Sequence, residues 1–92
     1  GEADAFQYLG ANQYSVDISI NAGSYEFKVA SSDWATVNMG AGPDGATVSE
    51  GTPLRIQGSN DNLNMNFAEN AVYNFLLDAT LTETPELTVT RK

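Results

Sequence analysis

The chain contains no cysteine and no histidine among its 92 residues. It therefore has no disulfide framework, and it lacks the commonest general base, a common nucleophile and the soft ligands of transition-metal sites. It also has no apolar run approaching the roughly 20 residues that a membrane-spanning helix requires. These absences argue against thiol chemistry, histidine chemistry and a helical membrane anchor.

Basic residues are scarce as well. Four Lys and Arg stand against twelve Asp and Glu, which gives a formal net charge of -8. A protein with this charge repels the phosphates of nucleic acids and the head groups of anionic membranes. We therefore expect neither a nucleic acid nor a membrane as partner.

The length and the 41% share of apolar residues predict one small domain with one core, spanning residues 1–92. No signal peptide or lipidation motif is visible at Gly1. Any targeting segment is therefore expected to have been removed or to lie upstream in a longer protein.

Apolar residues recur at every second position. In "YSVDISI" they run from Tyr14 to Ile20, which is typical of a strand with one solvated face. The turn residues of "NAGS" and the returning pattern of "YEFKVA", with Tyr25, Phe27 and Val29 inward, predict a β-hairpin.

The same alternation predicts strands in "AFQY", "WATVNM", "PLRIQ", "NLNMNFA", "VYNFLLDAT" and "ELTVTR". Short strands separated by turn residues, with no helical stretch, predict an all-β fold built as an antiparallel β-sandwich. The residues expected to point into its core are Phe6, Tyr8, Ala35, Val37, Met39, Leu54, Ile56, Leu63, Met65, Phe67, Tyr73, Phe75, Leu77, Leu87 and Val89.

The only tryptophan, Trp34, lies in the polar stretch "SSDWATVN". Strand parity directs Trp34 and Asn38 away from the core, and it places Lys28 on the outward face of the preceding strand. An indole stacks on the C–H face of a pyranose ring, Lys28 can donate hydrogen bonds to sugar hydroxyls, and Asn38 can donate and accept them. These residues, together with Asp33 as a further acceptor, predict a site for a neutral sugar.

The spacing favours an oligosaccharide over a single sugar, because Trp34 and Asn38 lie about 13 Å apart on an extended strand. A structural interpretation also remains open. A lone Trp often belongs to the core, and Lys28 can form a solvated ion pair with Glu26 or Asp33. A turn formed by "SSD" accounts equally well for Asp33.

The segment "AGSYEFKVASSDWATVNMG" resembles the central part of starch-binding carbohydrate-binding modules attached to bacterial amylases and pullulanases. There, a Gly-x-Tyr-x-Phe-Lys-Val-Ala strand is followed by Trp and then by Asn-x-Gly, and the likeness extends loosely to "NQYSVDISINAG", "VYNFLLDAT" and "PELTVT". The resemblance implies an immunoglobulin-like sandwich that binds α-1,4-glucan without cleaving it. It also implies that Lys28, Trp34 and Asn38 form the glucose site.

The resemblance is incomplete at the amino-terminal end. Modules of this kind open with a strand ending in Asn-Gly-Trp, which supplies a second stacking aromatic, and nothing before Phe6 matches it. Either the first strand lies outside this sequence, or the module has one aromatic platform.

The acidic residues show no pairing of the kind that glycosidases use, so we expect surface charge and no catalytic residues. Asp44 and Asp61 carry oxygens of the type that calcium binds, but no loop has EF-hand spacing, and we favour ordinary turns as the explanation of both. We expect no cofactor. The alternating asparagines Asn62, Asn64 and Asn66 are expected on the solvated face of a strand.

Together these features predict a non-catalytic module that binds starch, glycogen or malto-oligosaccharides and holds an attached glycoside hydrolase near its polymer. We expect it in a protein secreted by a bacterium. The alternative is a structural or protein-interaction sandwich domain of a secreted multidomain protein.

Overall fold

The computed structural model describes residues 6–30 and 38–92; for Ala30 and Asn38 the backbone alone is described. These ranges contain ten strands and no helix. Accordingly, they hold no helix of the length and apolarity needed to cross a membrane. The strands are β1 (Gln7–Gly10), β2 (Gln13–Ile20), β3 (Gly23–Phe27), β4 (Val29–Ala30), β5 (Asn38–Ala41), β6 (Thr47–Val48), β7 (Leu54–Gly58), β8 (Leu63–Phe67), β9 (Ala71–Asp78) and β10 (Glu86–Arg91).

The strands form two sheets. One sheet has seven strands in the order β1-β2-β9-β10-β7-β5-β4, and the other has three in the order β3-β8-β6. The predicted all-β sandwich is thus confirmed. One detail of the prediction is wrong, because β6 runs parallel to β8, with Thr47 opposite Asn64 and Val48 opposite Met65.

The core lies between the inner faces of the two sheets. Strand β8 shows why the sequence forms it: Leu63, Met65 and Phe67 are buried, while the asparagines between them are exposed. Every residue from Met39 to Val89 that was predicted to point into the core is indeed buried. The buried apolar residues are Val16, Val29, Met39, Val48, Leu54, Ile56, Leu63, Met65, Phe67, Tyr73, Phe75, Leu77, Leu87 and Val89.

The predicted hairpin of "YSVDISI" with "YEFKVA" is wrong. Strand β2 pairs with β1 and β9, whereas β3 pairs with β8 in the other sheet. Residues between Ile20 and Gly23 therefore carry the chain across the sandwich. Alternation identifies the buried face of a strand, but two such faces can meet across a core as well as lie side by side in one sheet.

Tyr73 anchors the start of β9. Its ring is 1% exposed and packs edge-on against Phe67, with centroids 4.8 Å apart. Its hydroxyl donates a hydrogen bond of 2.7 Å to the backbone carbonyl of Glu69. A buried tyrosine that bonds back to the chain a few residues upstream is a feature of immunoglobulin-like sandwiches.

Candidate functional site

Lys28 lies where the chain leaves one sheet and enters the other. Strand β3 ends at Phe27, and β4 begins at Val29 in the seven-stranded sheet. Phe27 packs edge-on against Phe75, with ring centroids 6.0 Å apart, and Val29 is buried. Because the core holds both neighbours, the backbone of Lys28 is fixed. Its side chain is half-buried, less open to water than strand parity predicted.

A groove of about 520 Å³ opens between the sheets beside Lys28. Glu26 also borders this groove, and its carboxylate accepts a hydrogen bond of 3.1 Å from the Asn62 amide. An apolar concave surface with a few polar groups is the usual form of a ligand site. The remaining lining residues are Phe6, Val16, Ile18, Ile20, Tyr25, Phe27, Val29, Phe67 and Phe75.

The backbone of Asn38 lies near that of Lys28. Strand β4 pairs with β5 so that Val29 is opposite Met39 and Ala30 is opposite Asn38. With strand spacing and rise of ordinary size, the Cα atoms of Lys28 and Asn38 are roughly 8 Å apart. Two of the predicted site residues are thus brought into one region at the level of the backbone.

Gly40, the glycine of the Asn-x-Gly motif, has a packing role. A Cβ at this position would lie 2.0 Å from the backbone carbonyl oxygen of Asp61. The same carbonyl accepts a hydrogen bond of 2.9 Å from the amide of Ala41. Only glycine lets the chain before β8 approach β5 this closely, and the contact holds the strand that begins at Asn38.

Trp34 and Asp33, together with the predicted core residues Ala35 and Val37, lie outside the described residues. In sequence they belong to the connection between β4 and β5. The assignment of Lys28, Trp34, Asn38 and Asp33 to a sugar site therefore stays a prediction.

Two acidic side chains of the described residues, Asp44 and Asp17, form charged contacts on the surface. Arg55 donates hydrogen bonds of 3.0 and 2.7 Å to the two carboxylate oxygens of Asp44 and lowers the pKa of this carboxyl group. Lys92 and Asn74 likewise lower the pKa of Asp17. A general acid needs a raised pKa, so neither carboxyl group suits that role. In this part of the chain, no group of three potential metal-ligating side chains occurs.

The asparagine row of β8 lies on a solvated face, as predicted. Asn64 accepts a hydrogen bond of 3.0 Å from the Thr47 hydroxyl, and Asn66 accepts one of 3.1 Å from the Ser24 hydroxyl. These contacts link β8 to both neighbouring strands of the small sheet. These hydrogen bonds explain the asparagine row of β8 without requiring a bound ligand.

Sequence reasoning missed an exposed aromatic ring on β1. Tyr8 was expected in the core, but 58% of it is exposed, because β1 is an edge strand of the larger sheet. It forms a ring pair with Tyr14 across the β1–β2 hairpin. The sequence did contain a signal for the β1–β2 hairpin. Two "QY" pairs, which begin at Gln7 and Gln13, flank the turn residues "GAN".

The fold is similar to that of AmyP-SBD, a starch-binding domain whose ligand-induced structure has been solved. The two structures agree with a TM-score of 0.74 over 99% of this chain, at 21% sequence identity. This chain spans 61% of the length of that solved chain. No protein-family model and no curated protein matches the sequence. At this identity the similarity establishes a shared fold.

Proposed function

We propose that this chain is a non-catalytic module that binds α-glucan, namely starch, glycogen and malto-oligosaccharides. The observation that carries the proposal is the fold shared with a starch-binding domain over 99% of the chain. Fold alone does not specify function, since one sandwich architecture can serve many ligands. A second line of support comes from the groove beside Lys28 and from the sequence after Lys28, which contains Trp34 and Asn38.

The proposed site combines stacking with hydrogen bonding. Trp34 offers the flat apolar surface on which a glucose ring packs. Lys28 donates hydrogen bonds to hydroxyls, Asn38 donates and accepts them, and Asp33 accepts one. The pairing of β4 with β5 supports this assignment, because it fixes the backbones of Lys28 and Asn38 at the two ends of the segment that contains Trp34.

Binding alone is a useful activity for such a module. Attachment to a glycoside hydrolase turns each encounter with the polymer into an intramolecular one, so that affinities on the order of -4 to -8 kcal/mol are sufficient. We propose that the chain serves an attached α-glucan hydrolase of the amylase or pullulanase type in this way. A secreted bacterial protein is the setting that we propose for it.

Co-sedimentation with insoluble polysaccharides tests the proposal. The chain should pellet with granular starch and stay in solution with microcrystalline cellulose. Trp34→Ala should remain in solution with both, whereas Leu81→Ala, which removes an exposed loop side chain, should behave as the parent. Absence of the parent from the starch pellet would contradict the proposed function and favour a structural or protein-interaction domain.

A further inference from the structure

The chain contains a single place where aspartate or asparagine is followed by glycine, Asp44 and Gly45 in "GPDG". At such a pair the glycine amide nitrogen can attack the aspartate carboxyl carbon and close a five-membered succinimide ring. Glycine favours this step, because it has no side chain to block the attack and its backbone adopts many conformations. The pair is therefore a candidate site for spontaneous covalent modification.

Asp44 and Gly45 lie on an exposed turn that leads into β6. The Gly45 amide donates a hydrogen bond of 3.1 Å to the carbonyl of Gly42, and Pro43 occupies the second position of the turn, where proline is favoured. A Cβ at Gly45 would meet no atom within 4 Å. Water therefore has access to the peptide that would react.

Arg55 of β7 engages both oxygens of the Asp44 carboxylate. Its backbone amide and its Nε donate hydrogen bonds of 3.3 and 3.0 Å to Oδ2, and a terminal guanidinium nitrogen donates one of 2.7 Å to Oδ1. The Gly45 amide, by contrast, is bonded to Gly42. The two groups that would react with each other thus have separate partners in the folded chain.

The pair with Arg55 also opposes the chemistry of ring closure. Closure expels one carboxyl oxygen as water, which requires the protonated carboxyl group, since a carboxylate has no hydroxyl group to lose. Hydrogen bonds from Arg55 stabilise the ionised form and lower the pKa of Asp44. Position and protonation state therefore both disfavour the reaction while the pair is intact.

We propose that Asp44 is a site of aspartate isomerisation and that Arg55 protects it in the folded chain. The Gly45 nitrogen bonds to the carboxyl carbon of Asp44, and the carboxyl hydroxyl group leaves as water with the proton of the amide. Water then adds back to the ring. Cleavage of the new bond restores aspartate, whereas cleavage of the original peptide bond leaves the chain running through the side chain, as isoaspartate. Water is the sole co-reactant, and the mass is unchanged.

Isomerisation would alter the turn and its contacts. Isoaspartate at position 44 adds one carbon to the backbone and attaches the carboxylate directly to Cα, so the bidentate pair with Arg55 cannot form in the same way. The turn is followed by Ala46, whose carbonyl accepts a hydrogen bond of 2.8 Å from the Asn64 amide. We therefore expect the modified chain to hold β6 less firmly against β8.

Peptide mapping of the intact chain after incubation in mildly acidic buffer tests this inference. Isoaspartate peptides separate chromatographically from their aspartate forms, and a protease that cleaves before aspartate does not cut them. Arg55→Ala should accumulate isoaspartate at position 44 roughly two- to fivefold faster than the parent, the factor expected for loss of an exposed ion pair. The control Arg91→Ala, which removes an exposed pair with Glu69, should match the parent.

Two further measurements separate protection by Arg55 from general unfolding. In concentrated urea the parent and Arg55→Ala should react at the same rate, faster than the folded parent, because the pair is absent from both unfolded chains. Asp44→Glu combined with Arg55→Ala should yield no product at position 44, since glutamate would have to close a larger ring. Thermal unfolding shows whether Arg55→Ala is folded at the incubation temperature, and Arg55→Lys, which cannot span both oxygens, should show an intermediate rate.

Three results would overturn the inference. The first is an equal rate in the folded parent and in both Arg55 variants. The second is isoaspartate that accumulates elsewhere in the chain but not at position 44. The third is a parent that gives no product at position 44 even in urea. None of these outcomes bears on glucan binding, so the proposed function is tested separately.

Discussion

Val29 lies opposite Met39 in the β4–β5 ladder, and both side chains are buried. This pair fixes the register of the segment that carries the proposed site. It places the backbone of Lys28 on one side of the pair and that of Asn38 on the other, with Trp34 in the connection between them. A core contact thus determines which polar residues can act on one ligand.

Removal of either polar residue should weaken glucan binding without abolishing it. Lys28→Ala and Asn38→Ala should each lower the affinity for maltoheptaose roughly fivefold, since one hydrogen bond contributes about 1 kcal/mol. Titration calorimetry provides the measurement. Lys92→Ala is the matched control, because Lys92 pairs with Asp17 on another part of the surface. Equal losses in the three variants would indicate a general effect of charge or stability and contradict the assignment.

Gly40→Ala should destabilise the fold by about 3 kcal/mol or more, because the new Cβ would overlap the Asp61 carbonyl oxygen. Gly45→Ala is a suitable comparison. A Cβ there meets no atom within 4 Å, although the backbone has a positive φ of 96°. Its cost should be smaller, on the order of 1 kcal/mol, and should reflect the dihedral angle alone. Urea unfolding of both variants gives the two free energies, and similar values would show that the close approach to Asp61 is unimportant.

Tyr73→Phe should lower the free energy of unfolding by about 1 kcal/mol, because the partly buried carbonyl of Glu69 would lose its hydroxyl donor. Tyr25→Phe offers a control of the same geometry. The Tyr25 hydroxyl donates to the carbonyl of Asn21 at 2.8 Å, but 42% of this residue is exposed, so water can replace the lost bond. Equal losses in the two variants would show that burial does not determine the cost.

The Asp44–Arg55 pair should make stability depend on acid pH. Arg55 holds the pKa of Asp44 below its ordinary value near 4. A lowered pKa contributes stability that is present above the unfolded value and is lost as pH falls through the folded value. Asp44→Asn should therefore unfold more readily than the parent at pH 7, and the gap should close below about pH 4. Because both side chains are partly exposed, the gap should be small. A gap that widens as the pH falls from 7 to below 4 would contradict this account.

The sequence pattern was sufficient to predict the buried faces but not the neighbours of each strand. Leu63, Met65 and Phe67 are buried as their spacing predicts, since alternation directly reports which side of a strand avoids water. The prediction of a β2–β3 hairpin was wrong, because the strand with which each strand pairs depends on the packing of the whole core.

The prediction that Tyr8 points into the core was wrong for a related reason. Its spacing matches an inward residue, yet its strand lies at the edge of the larger sheet, where the inner face is not fully covered. The coverage of a face depends on the other sheet, which local sequence does not encode. For the candidate site, the residue types predicted a sugar ligand, whereas the position of Lys28 at the transition between sheets emerged only from the fold.

The fluorescence of Trp34 during titration with maltoheptaose tests the central claim most directly, because this residue is the only tryptophan in the chain. If a glucose ring stacks on its indole, the emission should shift or quench in a saturable manner, and a cello-oligosaccharide of similar length should cause no change. Emission that stays constant while calorimetry records maltoheptaose binding would place the ligand elsewhere. Constant emission without any binding would contradict the α-glucan function.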